Sequence, residues 1–263
     1  MNQRVHLAKM PVAAVEHDAG GAGTAAKGAV RQRVKAASKA AKPAPARPVT
    51  AAAGAKAPSR TNDPERTMAG ILEVAYREFA EKGWAGARID EIADATHTSK
   101  RMIYYYFGSK DGLYLAVLEE AYRRMRAIES QQQLEDLPPE QALRRLVEFT
   151  FDHHQGHPQY IRLVMSENMN RGQFIAQSSN IQQLNVPAID AIRQLYERGV
   201  AEGVFRAGLD AIDIHASISA LSFFNVSNQH TFGLIFKRDM QAAGNLAARR
   251  SNVTEMVVRY VLK

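Results

Sequence analysis

From residue 63 to residue 263, apolar side chains return every three or four residues and nowhere alternate over a strand-length run. A spacing near 3.6 gathers them on one face of a helix, whereas a spacing of two would gather them on one face of a strand. No hairpin dipeptide between strand-like runs and no internal repeat interrupts the pattern. The chain is therefore expected to be all-α, a series of helices that bury their apolar stripes against one another.

The helices can be placed from their start and stop signals. Asp63 can cap the first, Pro64 suits its first turn, and Met68, Ile71, Leu72, Ala75 and Phe79 share one face. Gly83 is a natural stop. A short helix over about Arg88–Ala95 points Ile89, Ile92 and Ala93 inward, and Thr96-His97-Thr98 breaks the pattern. A third helix covers about Ser99–Phe107, Gly108 ends it, and Ser109 caps a fourth that runs past Tyr122. Further helices are expected from Pro138-Pro139-Glu140 and from His157-Pro158. Others are expected from Pro187 to about Glu202, from Asp210 to about Thr231, and over Ser251–Leu262.

A long supporting helix followed by two short helices around a tight turn is a helix-turn-helix arrangement, in which the second short helix enters the major groove. The stretch THTSKRMIYYYFGSKDGLY suits that task. Thr98 and Ser99 offer hydroxyls and helix-start amides to phosphate. Lys100 and Arg101 occupy the first helical turn, where positive charge opposes the helix dipole unless an anion lies in front. Ile103 and Phe107 must face the core. Tyr104 and Tyr105 flank that face with phenols able to bond phosphate, and Lys110 begins the next helix on the same side.

Residues 68–118 resemble the DNA-binding domain of TetR-family transcriptional regulators. The likeness lies in Phe79 to Gly83, Ile92-Ala93, Ala95, Ser99, Ile103-Tyr104, Tyr106-Phe107, Ser109-Lys110 and Leu113 at the family's spacings. It implies that Tyr104 and Lys110 hold phosphates and that Arg88, Lys100 and Arg101 approach bases or backbone. Three positions depart from the pattern. Ala87 stands where a capping Thr or Ser is common, His97-Thr98 where Gly-Val is usual, and Arg101 where Gly is frequent. The operator sequence of relatives therefore does not carry over.

The same resemblance implies a C-terminal helical bundle that binds a small effector and dimerises through its last long helices. HPQYIRLVMSENMNRGQFI and the segments around ERGVAEGVFRAGLDAIDIHASISAL and FFNVSNQHTFGLIF are similar to the subgroup that includes the pyrimidine-utilisation regulator. The Asp210–Thr231 helix is too apolar to face water and is expected, with Pro187–Glu202, in a dimer seam. Polar residues among apolar neighbours mark candidate effector contacts: Arg162, Glu167, Asn168, Asn225, Asn228 and His230. Each of them also fits a structural role, Arg162 with Glu167 as an ion pair among them. His153, His154 and His157 are metal-ligand types, but no carboxylate stands at matching helical spacing, and no metal or cofactor is expected.

The expected organisation is a disordered basic arm over residues 1–60, a helix-turn-helix domain over residues 61–109, and an effector and dimerisation domain over residues 110–263. Residues 1–60 carry 11 Lys/Arg against Glu16 and Asp18, while the remainder holds 23 basic and 25 acidic residues. The whole excess of a formal charge of +7 thus lies in an Ala-, Lys- and Pro-rich stretch without aromatics. That stretch is either a solubilising tail, an over-extended start ahead of Met10 or Met68, or an arm that adds sequence-independent attraction to DNA. The absence of cysteine excludes a disulfide scaffold and fits a reducing cytoplasm. No secretory signal and no membrane-length apolar run is seen. Neither a nucleophile elbow, a phosphate loop nor HExxH points to an enzyme. The reading is a transcriptional regulator, expected to repress although the sequence leaves activation equally open, with a near-palindromic duplex operator, a small-molecule effector and a second copy of itself as partners. The competing reading is a non-specific architectural DNA binder led by the basic arm.

Overall fold

The computed structural model describes residues 63–263, and these form ten α-helices. The expected basic arm lies outside the described residues. In order, the helices are α1 (Pro64–Gly86), α2 (Ile89–Ala95), α3 (Lys100–Phe107), α4 (Lys110–Glu129) and α5 (Pro139–Gly156). There follow α6 (Pro158–Met169), α7 (Ser179–Ala201), α8 (Ala211–Ser227), α9 (Gln229–Ile235) and α10 (Ala243–Val261). Among the described residues, extended pairing amounts to one isolated antiparallel bridge between Phe205 and Leu262.

The first four helices follow their local signals closely. The Asp63 carboxylate accepts from the amides of Glu65 and Arg66, satisfying donors that an uncapped helix leaves free. Gly83 leaves helical geometry at φ 66, so α1 kinks there before one further turn to Gly86. Ser99 and Ser109 cap α3 and α4 through the amides of Met102 and Gly112, and Gly108 between them takes φ 75.

Three expectations about the later helices are corrected. Pro187 does not begin α7 but sits inside it. The helix starts at Ser179, where the Ser178 hydroxyl accepts from the Ile181 amide. An internal proline removes one helical hydrogen bond, yet Ile181, Ile192 and Leu195 are buried along the same helix and hold it to the bundle. The long helix expected to Thr231 ends at Ser227, and Asn228 separates it from the short α9. The final helix begins eight residues earlier than Ser251, through an alanine-rich stretch with little apolar periodicity but high helix propensity. Ion pairs from Arg250 to Asp152 and Glu148, and from Arg144 to Glu255, tie this helix to α5.

Two apolar clusters organise the molecule. One joins Ile71, Phe79, Ile92, Ile103, Leu113 and Tyr114 of α1–α4 to Ile161 and Leu163 of α6, Phe174, Ile181 and Val226. The other joins Leu143, Leu146 and Phe151 of α5 to Ile192, Ile214, Ile218 and Val257 of α7, α8 and α10. The α7–α8 turn closes onto Gly199, whose carbonyl accepts from the amides of Val204 and Phe205, both at 2.9 Å. A Cβ on Gly199 would lie 2.0 Å from the Phe205 ring, which is itself buried, whereas a Cβ on Gly70 in α1 would meet nothing within 4 Å. Gly199→Ala is therefore expected to lower stability by about 1–3 kcal/mol through overpacking. Gly70→Ala is expected to raise it by about 0.5–1 kcal/mol through helix propensity. Urea midpoints of the two variants check both signs.

Candidate nucleic-acid interface

The α2–α3 turn is built without the usual glycine. His97 takes the left-handed backbone at φ 51, and the Thr98 amide donates back to the Ala93 carbonyl at 3.0 Å. This conformation costs a non-glycine residue more than glycine, although histidine is among those that tolerate it. Ala87 is buried and offers no side-chain cap to α2. The Arg88 amide instead donates to the Glu78 carboxylate at 3.4 Å.

Burying Ile103 fully sets the roll of α3 and turns the opposite face outward. Arg88, Ser99, Lys100, Arg101, Tyr104 and Tyr105 are exposed, with Tyr105 at 77% and Tyr104 at 43%, while Thr98 and Lys110 are half-buried. The charges on this face are not equally free. The Lys100 ammonium pairs with Asp90, which Arg88 also approaches at 3.8 Å. The Lys100 hydrogen bond holds the Asp90 carboxyl below its usual range. Arg101 has no carboxylate within 4.0 Å among the described residues. Lys110 lies over the Trp84 ring at 5.2 Å, and the Trp84 indole donates to Asp111 at 2.9 Å.

This face is joined to the rest of the bundle through aromatic contacts. Trp84 meets Phe174 at 5.4 Å, Phe174 meets Tyr114 at 4.8 Å edge-on, and Tyr114 meets Phe79 at 4.9 Å. Phe174 belongs to the α6–α7 connection. The buried Glu167 carboxylate fixes it there, accepting from the Phe174 and Ile175 amides at 2.8 and 3.0 Å.

The six residues singled out as effector contacts do not gather round one buried space. Arg162, Asn168 and His230 are exposed. The Asn168 amide donates to the Val164 carbonyl and that of Asn228 to the Ser227 hydroxyl. Glu167 is engaged by backbone amides rather than by Arg162. Asn225 is buried with its Nδ2 lacking a partner.

A different polar group lies inside the bundle, between α4, α5, α6 and α8. The Tyr160 ring stands 5.7 Å from Tyr122, 5.9 Å from His153 and 6.2 Å from His154, and His154 meets Phe223 at 6.4 Å. Arg126 pairs with Glu129 beside them. Burial pushes the Tyr122 and Tyr160 phenols and the Glu129 carboxyl up. It also pushes His215 down, and drives His153 down to about 4 and His154 to about 3, with neighbouring imidazoles and Arg126 adding to the effect. Arg126 Nε, His153 Nδ1 and His154 Nδ1 are buried without a protein partner. Buried polar groups are rarely left so. Arg126 and Glu129 also line a cavity of about 140 Å³ with Leu146, Leu184, Pro187 and Ile192. The members of this group are scattered over four helices, so no local pattern in the sequence marks them; the His153-His154 pair is the one local signal.

A turn-linked pair of short helices, its second helix held outward on a larger helical bundle, is the architecture of helix-turn-helix transcription regulators. Residues 71–117 match the family model described as bacterial regulatory proteins, tetR family, and residues 139–257 match that described as tetracyclin repressor-like, C-terminal domain. The HTH-type transcriptional repressor NicS of Pseudomonas putida is 35% identical over 181 residues, covering 69% of this chain and 85% of that protein. The HTH-type transcriptional repressor SCO4008 of Streptomyces coelicolor is 37% identical over 139 residues, covering 52% and 69%. The crystal structure of the transcriptional regulator SCO4942 of Streptomyces coelicolor superposes with a TM-score of 0.57 at 25% identity, covering 74% of this chain and 98% of that one. The chain belongs to the TetR family of bacterial regulatory proteins. The relatives are transcriptional regulators, a non-enzymatic role.

The depressed histidines make stability depend on pH. Below the ordinary histidine value near 6.5, an unfolded chain takes up protons at His153 and His154 that the folded chain refuses until about pH 4 and pH 3. More protons on the unfolded state means that stability falls as pH falls. The urea midpoint is expected to drop steadily between about pH 6.5 and pH 4. In His154→Leu the slope should shrink over that window.

Proposed function

We propose that a homodimer of this chain holds a near-palindromic operator through two α3 helices and releases it when a small molecule enters the α4–α8 interior. The observation that carries the reading is the outward face of α3, where Arg101 and Tyr105 stand clear of the protein. In this reading Arg101 reads a base edge, while Tyr104, Lys110, Thr98 and Ser99 hold phosphates. Lys100 and Arg88 exchange Asp90 for the DNA backbone. No described helix is long and apolar enough to cross a membrane, and the proposed site of action is nucleoid DNA in the cytoplasm.

The dimer seam is assigned to α8 and α10. Exposed Ile212, Ala216, Ala220 and Phe224 run along one side of α8, and Met256 and Tyr260 are exposed on α10. The solvent side of α7 carries Gln182, Gln183, Arg193, Gln194 and Glu197 around an exposed Val186, and the proposal places α10 rather than α7 beside α8 in the seam. Two-fold symmetry then sets the two α3 helices about 34–36 Å apart, one turn of duplex.

The effector is assigned to the interior histidine–tyrosine group, where unpaired donors can bond an incoming ligand. Its entry separates α4 from α6 and moves the Phe174 contact under Trp84, changing the spacing of the recognition helices. Each tenfold loss of operator affinity requires about 1.4 kcal/mol of preference for the released state.

Operator fragments selected from genomic DNA test these assignments. Lys110→Ala is expected to weaken binding to all sequences alike, and Arg101→Ala to relax preference at one or two positions at a cost of about 1–3 kcal/mol. Chains lacking residues 1–60 should remain sequence-selective with a shallower salt dependence. Loss of all binding in that truncation would favour the architectural reading, for which the concentrated positive charge of residues 1–60 speaks. Tyr160→Phe/His154→Leu is expected to bind operator normally and to lose release by the metabolite extract that frees the unaltered protein. Unchanged release would remove the interior assignment.

A further inference from the structure

The second apolar surface of the molecule is the end of α9, where Leu234, Ile235 and Phe236 are 81, 71 and 62% exposed. This tip is a built structure. The Phe236 amide donates to the Phe232 carbonyl at 3.0 Å, and the Arg238 amide donates to Gly233 at 2.9 Å. Lys237 turns the chain at φ 49, and a Cβ on Gly233 would stand only 2.9 Å from the Arg238 carbonyl oxygen, so glycine lets the turn close. Arg238 and the backbone of Asp239 are in turn bonded to Asn245. Three large apolar side chains are thus held in water by a fixed scaffold.

The tip is continuous with the seam. Phe224, on the exposed side of α8, meets Phe232 edge-on at 5.6 Å, and Phe232 meets Phe236 at 4.5 Å. Beside this ladder opens a groove of about 400 Å³ walled by Phe224, Phe232, Met240, Ala248 and Asn252, with Arg238, Asn245 and Arg249 supplying polar parts of its wall. Phe224, Ala248 and Asn252 are exposed on the α8–α10 face, so the groove opens toward a partner seated there. Asn225 also lines it, 2% exposed, with its Nδ2 unbonded. An unpaired buried amide suits a carbonyl at the free C-terminal end of an incoming helix.

We propose that the α9 tip of each protomer seats in this groove of its partner, so that the dimer carries two exchanged arms. The inference rests on the homodimer reading above. The arms lie at a telling end of the seam. The start of α8 belongs to the cluster built on α5 and α10, whereas Val226 at its end belongs to the cluster shared with α1–α4. The arms therefore tie the two copies at the end of α8 that packs into the cluster shared with α1–α4, and any ligand that shifts α8 strains them.

The chain has no cysteine, which makes cross-linking specific. Leu234→Cys combined with Asn252→Cys is expected to give a disulfide-linked dimer under mild oxidation, and neither single variant should do so. A dimer bridged by Leu234→Cys alone would mean that tip meets tip, and would overturn the groove assignment. In sedimentation, Leu234→Ser/Phe236→Ser is expected to weaken self-association at least tenfold with unchanged helix content. If this variant associates like the unaltered chain while Ala220→Glu separates the protomers, the seam stands and the arm does not. A folded but monomeric unaltered chain would overturn the homodimer reading and the arm together.

Discussion

The buried carboxylate of Glu167 ties the helix-turn-helix segment to the rest of the bundle. A buried polar group is tolerable chiefly when it is bonded, and Glu167 Oε1 accepts from the amides of Phe174 and Ile175, while its buried Oε2 has no protein partner among the described residues. That requirement bends the chain after α6 and drives the Phe174 ring between Trp84 and Tyr114. Trp84 in turn carries Lys110 on its face and Asp111 on its indole nitrogen. The segment that presents α3 is therefore packed against the bundle rather than hung from it. A displacement in α6 is felt at Trp84 and Tyr114, because close-packed side chains transmit shifts instead of absorbing them.

Charge on the outer face and charge in the interior are managed in opposite ways. Outside, Asp90 occupies Lys100 and Arg88, and Glu78 and Glu91 occupy Lys82, raising the Lys82 ammonium's pKa. These are exposed pairs of small energetic value. Inside, desolvation keeps His153 and His154 neutral and leaves their Nδ1 atoms unpaired. A neutral imidazole offers one donor and one acceptor, and the surrounding phenols widen that choice. In the function proposed above, the first arrangement yields to an extended polyanion and the second to a compact molecule able to complete hydrogen bonds in a confined space.

Much of the reading end was legible in the sequence because its signals are local. Asp63, Ser99 and Ser109 cap helices within three residues of themselves, Gly108 ends one, and the spacing of Ile89, Ile92 and Ile103 marks which sides face inward. Where the signal was misread, a distant partner had overridden it. Pro187 looks like a helix start, yet α7 runs through it because Ile181 and Leu195 are buried at both ends of the helix. Alanines before Ser251 give no apolar period, yet α10 includes them, anchored by Arg250 on α5.

The amino-acid order alone determined that the chain is helical, where the two short helices and their turn fall, and which residues of α3 stand opposite its buried isoleucine. Each of these follows from backbone propensity and a 3.6-residue period, properties of neighbours in sequence. Tertiary structure decided which polar residues share a space. Arg126, His153, Tyr160 and His215 are brought together only by the packing of α4, α5, α6 and α8, while Arg162 and His230, equally suggestive as letters, are turned to solvent. Burial depends on helix rotation and on partners remote along the chain, and no local pattern encodes those.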